Sequence, residues 1–240
     1  MVKKFVLQWH LSENCNLKCL HCYQENHKPI QLSYEQLEKI YKQYKNLLKN
    51  LKKYNIFTSI SFTATTLNYK EFPKVVSYAK KYKVDNVWSD RYIPLGDSED
   101  KNLALNVSQT QEYLSIMAKE RLKLKRKQFN KTTISMYRAL QFQKTNDFAY
   151  GCTAGDTLLT VMENGDLVPC RRMPIVVGNL LKDDMYKLYK NNSILKELRK
   201  NTIPDDCNDC EHAQMCHGGL KCLTYAIYKD LNHKDIGCNL

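Results

Sequence analysis

The stretch SENCNLKCLHCYQ, residues 12–24, places cysteines at 15, 19 and 22. Thiolates are the natural ligands of soft metals and of iron–sulfur clusters. Three of them at CxxxCxxC spacing fall one short of a closed tetrahedral site. A 4Fe–4S cluster takes up to four thiolates, so three leave one iron open to another ligand. The alternative is a zinc ion completed by His10 or His21. Zinc loops match one C-x2-4-C pair with a second pair nearby, and no second pair lies near Cys22. Iron–sulfur therefore ranks above zinc.

The chain has 10 cysteines in 240 residues, and the other seven stand at 152, 170, 207, 210, 216, 222 and 238. The N-terminus MVKKFVLQWHLSENC is basic, but its apolar stretch is too short and too polar for a secretory signal. No apolar run approaches the roughly 18 residues of a membrane span. The expected compartment is the cytoplasm, where disulfides are disfavoured and cysteine-rich chains bind metals or do redox chemistry. Hydrophobic residues make up 43% and charged residues 26%, the composition of a globular protein.

The formal net charge is +12. The surplus lysines are spread over helical segments such as YKQYKNLLKNLKKY and AKERLKLKRKQF, which reads as a solvated surface. No nucleic-acid or membrane partner is expected from it, although attraction for an anionic cofactor or acidic peptide is the sharper alternative.

The front of the chain alternates strand and helix. FVLQW (5–9), FTSISF (57–62) and VDNVW (84–88) read as strands. Residues 33–54 read as a helix with Ser33 as N-cap and Gln36 three residues on, and YKEFPKVVSYAKKY as another with Pro73 in its first turn. Such alternation implies parallel pairing and an α/β layer. Residues 107–128 read as a long basic helix and 132–145 as a further one. TLLTVMENGDLVPC reads as a hairpin around Asn164-Gly165. DDMYKLYKNNSILKELRK reads as one amphipathic helix. Residues 204–240 look poor in long elements, with metal clusters supplying their order. The expected domains are 1–150 and 151–240.

CNLKCLHCY after a first strand resembles the signature of radical SAM enzymes. In that family the open iron chelates S-adenosylmethionine (SAM), and reductive cleavage yields a 5′-deoxyadenosyl radical that abstracts hydrogen from the substrate. The resemblance puts His21 and Tyr23 near the adenine; the alternative is that both rings only pack the loop. The back half resembles the SPASM domain, the cysteine-rich extension with two auxiliary clusters. Cys152, Gly165 and Cys170 are followed by Cys207-x2-Cys210-x5-Cys216-x5-Cys222 and then Cys238, and only the x5 before Cys222 departs from the family's pattern. A zinc ribbon at 207, 210, 216 and 222 would leave 152, 170 and 238 idle. By position, the resemblance assigns Cys207, Cys210, Cys216 and Cys238 to the distal auxiliary cluster and Cys152, Cys170 and Cys222 to the proximal one.

The fold implied is a shortened, partial (βα) radical SAM barrel followed by a SPASM domain, with three 4Fe–4S clusters and SAM as cofactors. The family's Gly-Gly-Glu-Pro-like turn holds the amino group of SAM, but no glycine precedes Gly96 here. Three candidate strands before residue 97 suggest that about three βα units of the barrel are missing. Weak SAM affinity is the expectation. Unpaired strand edges invite association with a second copy. Ser61, Thr63 and Arg91 are candidate SAM or substrate contacts. For Arg91 and its neighbour Asp90 the alternative is a surface salt bridge; for Ser61 and Thr63 it is simple backbone satisfaction. The resemblance implies maturation of a ribosomal precursor peptide by a thioether or other crosslink, with a flavodoxin or ferredoxin as reductant. No separate leader-peptide reader is expected ahead of the first strand. Two other readings are an iron–sulfur or zinc protein with an inactive barrel, and an enzyme of the sulfatase-maturase or small-molecule type.

Overall fold

The computed structural model describes residues 56–95, 101–126, 131–145, 147–149, 151–162 and 165–240, with seven further residues between 34 and 49. Those seven are helical, and Lys42 and Glu38 form an i,i+4 ion pair among them at 3.3 Å. The expected strand at 5–9, the cap at Ser33, Cys15, Cys19, Cys22, His21 and Tyr23 lie outside the described residues.

Two sheets are present among the described residues. The first is parallel and has the order β1 (Ser59–Ala64), β2 (Asn86–Arg91), β3 (Thr133–Ser135). Parallel neighbours need a crossover, and helices α1 (Phe72–Lys81) and α2 (Val107–Lys125) supply the two. In α1, Phe72, Val76 and Ala79 are buried with helical spacing. In α2, Asn106 accepts from the backbone N–H of Gln109 at 2.9 Å and Gln109 Oε1 accepts from the N–H of Asn106 at 3.1 Å, a reciprocal cap that starts the helix. Tyr113, Leu114, Met117 and Leu124 of α2 join Phe72, Val76, Val87, Ile134 and Met136 in the main core. Each such fully buried side chain contributes about 1.5–3 kcal/mol.

Residues 132–145 do not form the expected helix. Thr132, Thr133 and Ile134 are β-branched in succession, which favours an extended strand, and Ile134 pairs with Val87. Ala139 then takes φ +39, a left-handed value that stops an α-helix, and a 3-10 segment Ala139–Lys144 follows. The sheet thus gains a third strand where the periodicity suggested a helix.

The second sheet is antiparallel: β4 (Thr160–Val161), β5 (Asp166–Val168), β6 (Gly178–Asn179). Gly165, at φ +84, makes the β4–β5 turn that the hairpin reading anticipates. The helix expected over 183–200 is two helices, α3 (Met185–Asn191) and α4 (Ser193–Lys200). Asn192 breaks them, because its Oδ1 accepts from the N–H groups of Ile194 and Leu195 at 3.0 and 3.2 Å and so caps α4. The cysteine-rich tail also holds more helix than expected, namely α5 (Ala213–Cys216) and α6 (Lys221–Tyr228).

Two cores bind the tail to the parallel sheet. Cys216 and Cys238 pack against the main core, while Ile93 and Ala139 join Met173, Leu220, Cys222 and Leu223 in a second one. Cysteines from the tail therefore sit against the sheet that carries the barrel strands.

Candidate metal centres against a parallel sheet

Seven described cysteines are all free thiols. They fall into two groups. Cys207, Cys210, Cys216 and Cys238 line one small pocket, together with Leu140, Phe142 and Gln143 from the segment after β3. Burial raises the pKa of Cys207, and the nearby Cys238 and Cys210 raise it further. Cys216 is pushed up to about 12 by burial first and then by Cys238, Asp235 and Cys207. The second group is Cys152, Cys170 and Cys222. Burial pushes Cys222 up to about 12, with Cys152 and Cys170 among the charges acting on it. Cys152 is raised by burial and by Cys170.

Cys152, Cys207, Cys216 and Cys222 thus favour the protonated thiol, first because burial disfavours the thiolate and then because neighbouring thiolates repel. A positively charged iron core reverses that balance and favours deprotonated sulfur. The donor set fits clusters for a further reason: several N–H groups point at the sulfurs. The Arg172 backbone N–H lies 3.5 Å from Cys170 Sγ and Gln143 Nε2 lies 3.9 Å from Cys238 Sγ. Such contacts to cluster sulfur tune reduction potential. Among the described residues, no three His, Cys, Asp or Glu side chains converge closely enough to hold a single metal ion.

Backbone geometry shapes the distal group. His217, Gly218 and Gly219 all have positive φ directly after Cys216. A Cβ on Gly218 would come within 2.5 Å of Pro204 Cγ, and one on Gly219 within 2.7 Å of Asp235 Cβ. His217, Gly218 and Gly219 therefore make a tight left-handed turn between Cys216, which joins one group, and Cys222, which joins the other.

Arg91, a candidate SAM or substrate contact, is instead engaged inside the protein. Its Nη1 and Nη2 donate to Asp235 Oδ1 and Oδ2 at 2.7 and 2.5 Å. Arg91 is 6% exposed and Asp235 1%, so this is a buried ion pair and not the surface one expected. Burial by itself would lower the Arg91 pKa, but the Asp235 carboxylate outweighs it and the net shift is upward. Asp235 also accepts from the backbone N–H groups of Leu220 at 3.0 Å and Gly237 at 2.9 Å. One carboxylate thus ties the end of β2 to the turn before α6 and to the residue preceding Cys238.

Gly237 has no room for a side chain, because a Cβ would press on Arg91 Nη1 and lie 2.5 Å from Thr110 Oγ1. Gly237→Ala is expected to lower stability by about 1–3 kcal/mol through overpacking and to reduce the iron bound per chain. Thermal midpoint and iron assay check it; an unchanged midpoint with full iron refutes it.

Asp90, next in the strand, accepts from Arg172 Nη1 at 2.5 Å, with Arg138 Nε at 4.0 Å from the same oxygen. Arg172 and Asp90 both act on the Cys222 thiol, Arg172 lowering and Asp90 raising its pKa after burial. This pair joins the sheet to the three-cysteine group. Ser61 and Thr63 are exposed on β1, in register with Trp88 and Asp90. They share the sheet face opposite the helices, which is the interior face of a barrel. Sequence reasoning missed Asp235, Arg172, Arg138 and Trp88. The available signal was spacing: Arg172 lies two residues after Cys170, and Asp235 three before Cys238.

Residues 152–211 match the SPASM family model, described as an iron–sulfur cluster-binding domain. The coordinates superpose on SuiB of Streptococcus suis bound to S-adenosylmethionine with a TM-score of 0.59 and 16% identity, covering 83% of this chain and 49% of SuiB. They superpose on anSMEcpe with bound AdoMet and the Kp18Cys peptide with a TM-score of 0.61 and 17% identity, covering 82% of this chain and 57% of that one. The chain shares the fold of these two proteins over most of its length. The SPASM match contains Cys152, Cys170, Cys207 and Cys210, and the remaining three cysteines follow it. The AdoMet-dependent heme synthase of Methanosarcina barkeri is 25% identical over 89 residues, 37% of this chain and 25% of that protein. The chain spans about half the length of these solved structures and a quarter of that curated relative. The parallel sheet β1–β3 is a partial barrel. No helix among the described residues is long and apolar enough to cross a membrane.

Proposed function

We propose that this chain acts in peptide maturation as a radical SAM/SPASM enzyme carrying three 4Fe–4S clusters. The observation that supports it most is the sorting of seven thiols into a group of four and a group of three, both packed on the barrel sheet. SuiB has been crystallised with its precursor peptide SuiA, and anSMEcpe with a cysteine peptide; by likeness, the substrate here is a precursor peptide. Cys15, Cys19 and Cys22 would hold the front cluster, which would supply the electron for reductive cleavage of SAM. His21, Tyr23, Ser61 and Thr63 are the proposed contacts to SAM on the chain's side. Arg91 serves the site by holding the tail against β2. The reductant is proposed to be a flavodoxin or ferredoxin. Residues 1–150 form the barrel part and 151–240 the auxiliary-cluster part.

The test is to purify the protein without oxygen, assay iron, sulfide and zinc, and follow SAM cleavage. About twelve irons per chain with matching sulfide are expected. Zinc without sulfide refutes the cluster reading, and iron without SAM cleavage leaves an iron–sulfur protein with an inactive barrel.

The three-cysteine group supports thioether formation over other crosslinks. Cys152, Cys170 and Cys222 leave one iron of a 4Fe–4S cluster without a protein thiolate. A substrate cysteine would have the right softness for that place and would bind there as the thiolate. Adding a cysteine-containing candidate peptide, encoded beside the gene, is expected to change the auxiliary-cluster EPR signal. Its Cys→Ser version should bind and leave the signal as it was. Equal spectra with both peptides bound would exclude direct coordination and point to an electron-carrying role.

A further inference from the structure

Lys221 is a buried cation beside the three-cysteine group. It is 9% exposed and opens α6, directly before Cys222. Lysine is almost never buried without a partner. The first turn of a helix also disfavours a cation, because the backbone N–H groups make that end positive. Both costs fall where an anion stands close by. Lys221 Nζ donates to Asn201 Oδ1 at 2.8 Å, an amide that holds the side chain without neutralising it. Asn201 is itself fixed in the left-handed region, at φ +51 after the last residue of α4. Glu197 of α4 also acts on Lys221, but it is exposed and ion-paired with Lys200 at 3.0 Å.

The other group that Lys221 feels is a cysteine ligand. Lys221 favours the thiolate of Cys152, and that thiolate favours the ammonium in return. Arg172 acts in the same sense on Cys222, with its charge shared with Asp90 at 2.5 Å. The four-cysteine group has a different setting, where the charges acting on Cys207 and Cys216 are other cysteines, Asp206, Asp235 and Lys234. The reduction potential of an iron–sulfur cluster follows its net charge and its surroundings. Reduction adds negative charge, so a cation held close stabilises the reduced form, and more strongly away from water.

We propose that Lys221 sets the reduction potential of the cluster held by Cys152, Cys170 and Cys222, making that cluster readier to take up an electron than it would be without the ammonium. This role rests on the iron–sulfur reading above and is independent of SAM cleavage and of the substrate.

The anaerobically reconstituted full chain is titrated with a reductant at controlled potential and followed by EPR. The signal that disappears in the Cys152→Ala, Cys170→Ala, Cys222→Ala variant identifies the three-cysteine cluster. In Lys221→Gln and Lys221→Met the ratio of reduced to oxidised cluster at a fixed potential is expected to fall about tenfold, a midpoint lower by about 59 mV for one electron. The four-cysteine cluster should keep its midpoint. Lys221→Arg, which keeps the charge, should stay within about twofold of the parent ratio. An unchanged midpoint in both neutral variants overturns the proposal, and so does an equal shift of both auxiliary clusters. Loss of iron in all three variants, arginine included, also overturns it and gives Lys221 a structural role instead. A parent that holds zinc without sulfide defeats the iron–sulfur reading itself, which the metal assay shows before any variant is made. A parent that never cleaves SAM but shows the shift defeats the enzyme reading and leaves the role of Lys221 standing.

Discussion

Asp235→Ala is expected to cost about 3–5 kcal/mol of folding stability, because it leaves Arg91 charged, buried and unpaired. The residue is 1% exposed and its carboxylate accepts four hydrogen bonds, two from Arg91 and one each from the N–H groups of Leu220 and Gly237. In a chain of 240 residues each 1 kcal/mol shifts the thermal midpoint by about 2–4 °C, so the drop should be roughly 6–20 °C. The two orphaned backbone donors lie beside the turn before Cys222 and directly before Cys238, so both cysteine groups should loosen. Iron retention under mild chelation reads that second effect, which a merely distant destabilisation would not produce at matched temperature below both midpoints. Replacing the pair together, with Arg91→Met and Asp235→Leu, should recover much of the stability, since apolar packing can substitute for a buried ion pair. It should not restore iron retention, because leucine cannot accept from Leu220 and Gly237. A midpoint for Asp235→Ala within about 2 °C of the parent, under 1 kcal/mol on the same scale, would show that the pair carries little.

The cysteine pattern was legible because residue type and spacing are read directly from the chain, with no knowledge of the fold. Cys152 and Cys170 flank a hairpin whose Gly165 turn is itself readable, and they act on Cys222, the third cysteine that the family resemblance groups with them. The strands β1 and β2 were legible for the same kind of reason, being apolar runs between turn residues. By contrast, 132–145 misled, since its apolar residues also suit a helical period. Its Thr-Thr-Ile run is decided by pairing to β2, a long-range contact that no local window contains. Asn192 shows the opposite case. A single polar side chain split one periodic stretch into two helices through a local cap that could have been read from sequence.

The tertiary ties were the least legible part of the site. Arg91 and Asp235 are 144 residues apart, and Asp90 and Arg172 are 82 apart. Nothing in either neighbourhood announces its partner. Charged residues at a strand end ordinarily face water, so a surface pair was the sound expectation, and only packing of the tail against β2 buries them. The result changes what these residues are for. They place the auxiliary cysteines relative to the barrel face on which Ser61, Thr63 and Trp88 lie.

Replacing Cys15, Cys19 and Cys22 together by alanine is expected to remove about four irons per chain and leave about eight, with SAM cleavage lost. The argument is one of exhaustion. The chain has 10 cysteines, and seven are committed by geometry to the two groups against the sheet. No thiol remains to rescue a front cluster. The two tail groups are built from their own loops, held by Asp235 and by the left-handed turn at His217 to Gly219. The auxiliary EPR signals should therefore persist in the triple variant. The reciprocal variant, Cys152→Ala with Cys170→Ala and Cys222→Ala, should lose a different four irons and retain SAM binding. If the front variant keeps all its iron, the radical SAM assignment of those cysteines fails. If it loses all twelve, the clusters do not form independently, and the separation of front from tail drawn from the thiol groups is wrong.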